Sequence, residues 1–169
     1  AASTMKKYEI INNPWNQGEK IVLVPAMEPD VTIIHVQKAD EIGNILIQGI
    51  ENHEPELIRA SKATIVSCEE IVPTKFFRDN SNYTTIPYHY IDAVVEQPFG
   101  AYPTATYGYY SFDADHINFY QQFARAGGKE YKKYMKKYIY GSEIFDDFLE
   151  KCGGVKKLEP LKREMLRLM

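Results

Sequence analysis

Cysteine is scarce in this chain of 169 residues: Cys68 and Cys152 stand alone, without the paired spacing of a zinc site or a disulfide scaffold. Both are expected as free thiols in a reduced, intracellular protein. Long apolar runs are missing too. None approaches the roughly 18 residues that a spanning helix needs, and Met5-Lys6-Lys7 follows Ala1-Ala2-Ser3-Thr4 without the apolar core of a signal peptide. The expected location is the cytoplasm, with no membrane partner. Neither charge sign dominates: the net charge is −3, and the basic residues form no long uninterrupted run. That excludes a nucleic-acid surface as the first expectation. No Walker loop, G-x-G-x-x-G, H-E-x-x-H or cysteine-pair metal motif occurs, so no metal and no permanently bound cofactor is expected. Repeats and low-complexity segments are absent as well.

What is present is an ordinary globular composition, with 44% hydrophobic and 25% charged residues. The length suits one domain over residues 1–169. Residues 1–13 show neither a targeting pattern nor an obvious first strand, which suits a chain that continues further upstream. Two β-branched runs, Ile21 to Val24 and Val31 to Val36, are separated by Pro25 and Pro29 and read as strands. The second is apolar at nearly every position, the pattern of a strand covered on both faces, and Ile45 to Ile47 resumes after the Gly43-Asn44 turn. Glu54 to Ser61 has a short helical pattern. Ala63 to Cys68 is a further buried strand ending in Glu69 and Glu70, and Ala93 to Val95 an apolar strand followed by Glu96. Strands alternating with short helices place the chain in the α/β class, with a mixed sheet.

The stretch from Gln97 to Phe112 carries no charge, yet it holds Phe99, Tyr102, Tyr107, Tyr109 and Tyr110 among prolines and glycines. It is too broken for a strand and too aromatic for a solvated linker, so it reads as a contact loop lying in a groove or under a partner. Residues 113–169 read as a helical segment. Asp113 or Asp115 caps a helix that stops at Gly127-Gly128. In the next helix Tyr131, Tyr134 and Tyr138 share one face, opposite Lys132, Lys133, Lys136 and Lys137. Stacking on single-stranded nucleic acid needs aromatics and cations on the same surface, so this helix packs its tyrosines and solvates its lysines. Two more amphipathic helices, Glu143 to Lys151 and Leu158 to Leu168, follow.

Among candidates for chemistry, Glu69 and Glu70 come first, because ligands gather beyond the carboxyl ends of strands in open α/β sheets. A carboxylate there serves as nucleophile, general base or anchor. The competing reading sends the two side chains to opposite faces, one to solvent and the other to a loop amide or a basic partner. His35 reads as a hydrogen-bonded core residue, since no Ser, Cys or Asp stands at a recognisable catalytic spacing. His89 offers no more, and His53 and His116 read as exposed.

Four segments taken in order, "LVPAMEPDVTIIHVQKADEIGNILIQG", "ATIVSCEEIVPT", "IPYHYIDAVVEQPFGAYPT" and "YGYYSFDADHINFY", resemble the α subunit of family I coenzyme A transferases, in the glutaconate CoA-transferase branch. The resemblance runs from Gly18 to about Leu149. It implies the CoA-transferase fold, a mixed, mostly parallel sheet flanked by helices, and an acyl-CoA thioester and a carboxylic acid as substrates. In this frame Asp40-x-x-Gly43-Asn44 resembles the family's tight connection between strands, where Asp40 can bond turn amides and Gly43 and Asn44 tolerate left-handed angles. A family α subunit is about twice this long, and the Gly-rich CoA segment of its first half has no match here. The chain therefore looks like the second half, implying two partners: the missing first half and a β subunit. The family's nucleophilic glutamate lies on that β subunit in a Glu-Asn-Gly-like motif, a tripeptide this chain lacks. The resemblance implies no catalytic residue here, an inactive chain when alone, and substrate-binding roles for Glu69, Glu70, Tyr102, Thr104 and Tyr107. Three other readings stay open: an acyl-CoA hydrolase acting on a ring ketone, a non-catalytic module binding a small ligand such as a sugar phosphate, and a folded but inactive domain separated from its companions.

Overall fold

The computed structural model describes residues 8 to 168. The first feature is a hairpin, β1 (Glu9–Asn12) paired antiparallel with β2 (Lys20–Leu23). β1 corrects the expectation that residues 1–13 hold no strand. Ile10 and Ile11 supply only a two-residue β-branched signal, and the pairing is secured by the turn. There the Asn13 backbone N–H donates to the Glu19 carbonyl (2.9 Å), and the Asn13 amide donates to the Glu19 carboxylate (2.7 Å).

The main sheet contains β3 (Val31–Ala39), β4 (Ile45–Leu46), β5 (Ala63–Ile71) and β6 (Ala93–Glu96), ordered β4-β3-β5-β6. β3, β5 and β6 are parallel and β4 is antiparallel to β3, so the sheet is mixed and mostly parallel, as expected. Helix α1 (Glu54–Ala60) links β4 to β5; Pro55 sits in its first turn with Glu54 and Glu56, and Arg59 sits in its last, matching the helix dipole. Its Ile58 joins Val36, Ala39, Ile45, Val66, Cys68 and Ile86 in the principal core. Each such branched side chain contributes about 1.5–3 kcal/mol on full burial. A short helix α2 (Thr74–Asp79) follows β5, beyond what the sequence pattern announces.

Two strand expectations need correction. β5 runs to Ile71, so Glu69 and Glu70 lie inside it instead of past its end. The strand continues because each carboxylate finds a partner on β3: His35 for Glu69 and Lys38 for Glu70. The expected cover on both faces also fails. Val31, Ile33, Ile65 and Val95 alternate onto one face and are 49%, 72%, 36% and 49% exposed, so this part of the sheet is open in the chain.

Between β3 and β4, Asp40 is fully buried, and one carboxylate oxygen accepts the N–H groups of Gly43 (2.9 Å) and Asn44 (2.8 Å). The other oxygen accepts the Asn44 side-chain amide at 2.7 Å. Gly43 has φ 104°, the left-handed angle expected, while Asn44 does not enter that region.

The rest is helical: α3 (Ala114–Ala126), α4 (Gly128–Tyr134), a π-helical turn over Met135–Ile139, α5 (Phe145–Lys151) and α6 (Gly154–Leu168). Asp113 caps α3 by accepting the His116 N–H (3.0 Å), and α6 starts earlier than expected. Tyr134 and Tyr138 are buried and the four lysines of that face pattern are exposed, as their periodicity required. The aromatic loop 97–112 is covered in part by the chain itself: Tyr102 and Tyr110 pack with Leu149, Leu158 and Leu161, while Tyr107 and Phe112 stay exposed. His116 is buried, not exposed, and its Nε2 meets the Tyr134 hydroxyl at 2.9 Å. Its partners come from α4 and α5, which a local pattern does not report. No described helix is long and apolar enough to cross a membrane.

Removing the Asp40 carboxylate leaves three donors unanswered in a buried turn. Asp40→Ala is expected to lower stability by about 2–4 kcal/mol, with Asp40→Asn intermediate. Chemical denaturation of the two variants checks this; parity of Asp40→Ala with the parent contradicts it.

Candidate functional site

Parallel pairing aligns the carboxyl ends of β3 and β5, and the loop after β6 folds across them. His35, Gln37, Ser67 and Glu69 project from one face toward this loop. Glu69 is the centre. Its Oε1 lies 2.6 Å from His35 Nε2, and its Oε2 accepts the Phe99 backbone N–H at 2.9 Å. The His35 and Glu69 side chains are only 10% and 4% exposed. On its other side His35 Nδ1 is 2.9 Å from Ser67 Oγ.

The loop is shaped to reach this pair. Phe99 has φ 61°, a strained angle for a residue with a side chain, and Gly100 follows directly. A Cβ on Gly100 would lie 2.6 Å from His35 Nδ1, so the imidazole packs on bare backbone. The Tyr110 hydroxyl is buried beneath and accepts from the Ala101 N–H (3.0 Å) and the Thr106 hydroxyl (2.8 Å). Burial, with the Glu69 carboxylate nearby, pushes the Tyr110 phenol up, so it stays neutral. Farther along, the Gln37 amide donates to the Gln48 carbonyl (3.1 Å) and the Tyr107 carbonyl (3.4 Å).

Glu70 faces the other way and takes Lys38 Nζ at 2.5 Å and the Tyr109 hydroxyl at 3.2 Å. The Lys38 hydrogen bond is the main reason that the Glu70 carboxyl is held below its ordinary range. Desolvation opposes the charged form of Lys38, but the Glu70 and Tyr109 contacts outweigh it and raise its pKa.

The five residues singled out from the sequence fall in three places. Glu69 and Glu70 stand back to back on β5 at the carboxyl end of the sheet. Tyr107 is half exposed, its ring against Gly49 and its carbonyl accepting from the Gln37 amide. Tyr102 and Thr104 point elsewhere: the Tyr102 hydroxyl donates to Asp113 at 2.7 Å inside the helical layer, and the Thr104 hydroxyl donates to the Ala101 carbonyl at 2.5 Å within its own turn. Sequence reasoning missed Lys38, Ser67, Tyr109 and Tyr110 and set His35 aside as structural. The register of β3 on β5 brings the first two to Glu70 and His35, and no local motif encodes that register.

Chemically, Glu69 has both oxygens engaged and little access to solvent, and so acts as a positioning group for the loop. Glu70, Lys38 and Tyr109 form a half-exposed acceptor and donor set at the sheet edge. Cys68 and Cys152 are free, and burial pushes each thiol up to about 11, so both are protonated and weakly nucleophilic near neutrality. No group of three or more His, Cys, Asp or Glu among the described residues is placed to hold a metal ion.

Glu69→Ala leaves His35 Nε2 and the Phe99 N–H without their partner. It is expected to cost about 2–4 kcal/mol and to make the 97–112 loop the earliest site of proteolysis; an unchanged cleavage pattern contradicts this. Glu70 gives a pH signature. Its folded pKa is depressed below the ordinary glutamate value, so its stabilisation is complete above the unfolded pKa and is lost as pH falls through the folded one. The pair is partly exposed, so the stability gap between the parent and Glu70→Gln should be small, below about 1 kcal/mol at pH 7. Thermal midpoints of the two should converge on acidification below the ordinary carboxylate range. A gap that widens on acidification contradicts the assignment.

The coenzyme A transferase family model matches residues 4–97. The α subunit of glutaconate CoA-transferase from Acidaminococcus fermentans is 33% identical over 89% of this chain and 47% of its own length. The corresponding subunit of 3-oxoadipate CoA-transferase from Pseudomonas knackmussii is 35% identical over 86% of this chain and 50% of its own length. The crystal structure of glutaconate coenzyme A-transferase from Acidaminococcus fermentans superposes with a TM-score of 0.86 and 34% identity, covering 93% of this chain and 49% of that one. The chain thus spans about half the length of these transferase subunits. With more than half of its residues matched by the family model, the chain belongs to the coenzyme A transferase family.

Proposed function

We propose that this chain is the carboxyl-terminal half of the α subunit of a CoA transferase. In this reading residues 1–169 act as one unit, 113–169 form its helical cover, and the assembly works in the cytoplasm. It moves CoA from an acyl-CoA donor to a carboxylic acid acceptor, together with the remaining half of its own subunit plus a β subunit. The observation that carries the reading is the superposition on a glutaconate CoA-transferase chain over nearly all of this chain and half of that one. Two features of the site support it. Glu69 and Glu70 are both committed to internal partners, so the nucleophilic carboxylate belongs elsewhere, on the β subunit. The open apolar patch of Val31, Ile33, Ile65 and Val95 is the kind of surface that a further layer of protein covers.

The reaction then follows nucleophilic catalysis. The β-subunit glutamate attacks the thioester carbonyl and expels CoA thiolate, giving a mixed anhydride. The thiolate returns to the glutamyl carbonyl, releases the donor acid and leaves a glutamyl-CoA thioester. The acceptor carboxylate attacks that thioester, and the thiolate expelled takes the acceptor acyl group, freeing the glutamate. No permanently bound cofactor is required. This chain frames the site: Glu69 holds the loop through Phe99, while Glu70, Lys38, Tyr109 and Tyr107 line its edge. Tyr102 and Thr104 fix the loop shape from behind.

The test is an exchange assay with the chain alone and with the complete assembly, given an acyl-CoA and a panel of carboxylic acids. CoA transfer to an added acid by the assembly, and none by the chain alone, is expected. Release of free CoA without an acceptor points instead to a hydrolase. Saturable binding of a sugar phosphate with no turnover of CoA esters contradicts the proposal altogether.

A further inference from the structure

Away from the sheet edge, the helical layer holds a cavity of about 690 Å³. That lies within the roughly 300–1,000 Å³ of small-molecule sites. Its wall is aromatic: Tyr102, Tyr120, Tyr131, Tyr134, Tyr138 and Phe148 contribute, with Phe145 beside them. A cavity meant only for an apolar body is served equally by Leu, Ile and Val. Rings add a face of negative electrostatic potential, which attracts cations.

Several contacts turn the rings toward that use. Tyr134 and Tyr138 stack at 4.7 Å, and Tyr120 meets Tyr134 edge-on at 5.1 Å. The Tyr102 hydroxyl is spent on Asp113 and the Tyr134 hydroxyl on His116, both behind the wall, so these residues offer the cavity their rings. Burial pushes the Tyr134 phenol up to about 12, which keeps the ring neutral. Tyr138, with Met135 and Ile139, comes from the π-helical turn Met135–Ile139, a widened turn of the sort often found at binding sites. Among the described residues no Lys, Arg or His lines the space, and the one charged residue there is Glu143. Lysines 132, 133 and 136 of the same helical stretch are exposed to water, where salt screens them over about 8–10 Å. The Lys137 ammonium lies 4.8 Å from the Tyr138 ring centroid, so that ring already engages a cation of the chain, and an incoming one competes with it there.

We propose that this cavity binds a small organic cation with a quaternary or methylated ammonium head, held against the tyrosine rings with Glu143 as its counter-charge. This site is independent of CoA transfer and stands apart from Glu69 and Glu70.

The experiment is calorimetric titration of the purified protein, with whatever companion chains accompany it, using choline and its neutral carbon isostere 3,3-dimethyl-1-butanol. Choline is expected to bind at least several-fold more tightly. Tyr138→Leu should weaken choline by roughly tenfold, and Glu143→Gln by a few-fold. Because Tyr138 is buried and its replacement risks the fold, Tyr131→Leu at the less buried rim serves as the second ring variant. A trimethyl-lysine peptide titrated alongside separates a free metabolite from a modified chain as the source of the same head group. Equal affinity for choline and the isostere, or no saturable binding of either ammonium probe, overturns the proposal.

Discussion

The buried Glu69 carboxylate is the constraint on which the sheet edge depends. One oxygen meets an imidazole on the neighbouring strand and the other meets a backbone N–H on the loop that crosses both. A carboxylate this dry is costly unless both oxygens have partners. The partners dictate the rest: β3 and β5 must hold the register that sets His35 beside Glu69, Phe99 must accept a left-handed angle, and Gly100 must present bare backbone to the imidazole. The loop is thereby pinned above the sheet, and the half-exposed Lys38, Glu70 and Tyr109 set is arranged beside it.

A second tie joins this edge to the helices. Asp113 caps α3, accepts the Tyr102 hydroxyl from the loop and pairs with Lys157 of α6 at 3.1 Å. Burial alone would raise its carboxyl pKa; the donors from three elements outweigh that and hold it below the ordinary range. The aromatic loop therefore lies between two carboxylates, one on the sheet and one at a helix start. This explains how a segment so rich in glycine and proline is ordered without pairing into a strand. The helical layer in turn keeps Tyr102 and Tyr110 dry and carries the tyrosine-lined cavity on its outer side.

What was legible in the sequence is what short-range chemistry decides. The Asp40 turn closes within four residues of chain, so its side chain and Gly43 suffice to announce it. The strand cores and the tyrosine face of α4 followed from periodicity, and the Asp113 cap from its place before α3. What escaped depends on distant partners. Glu69 and Glu70 looked like the end of a strand because their hydrogen-bond partners are 34 and 32 positions away on β3. His116 looked exposed because Tyr134 and Cys152 cover it from later helices. The open face of Val31, Ile33 and Ile65 looked buried because its composition is that of a covered strand, a pattern that records the need for cover without naming what supplies it.

The proposal at the centre is that this chain, which spans about half the length of related transferase subunits, works with further protein that covers its apolar sheet face and supplies the nucleophilic carboxylate. Native mass spectrometry of the polypeptide purified gently from its source cells tests it most directly. The account predicts an assembly containing the remaining half of the subunit, joined or separate, and a second subunit with an accessible nucleophilic glutamate. A stable monomer of this chain alone, with no companions at any ionic strength, contradicts it.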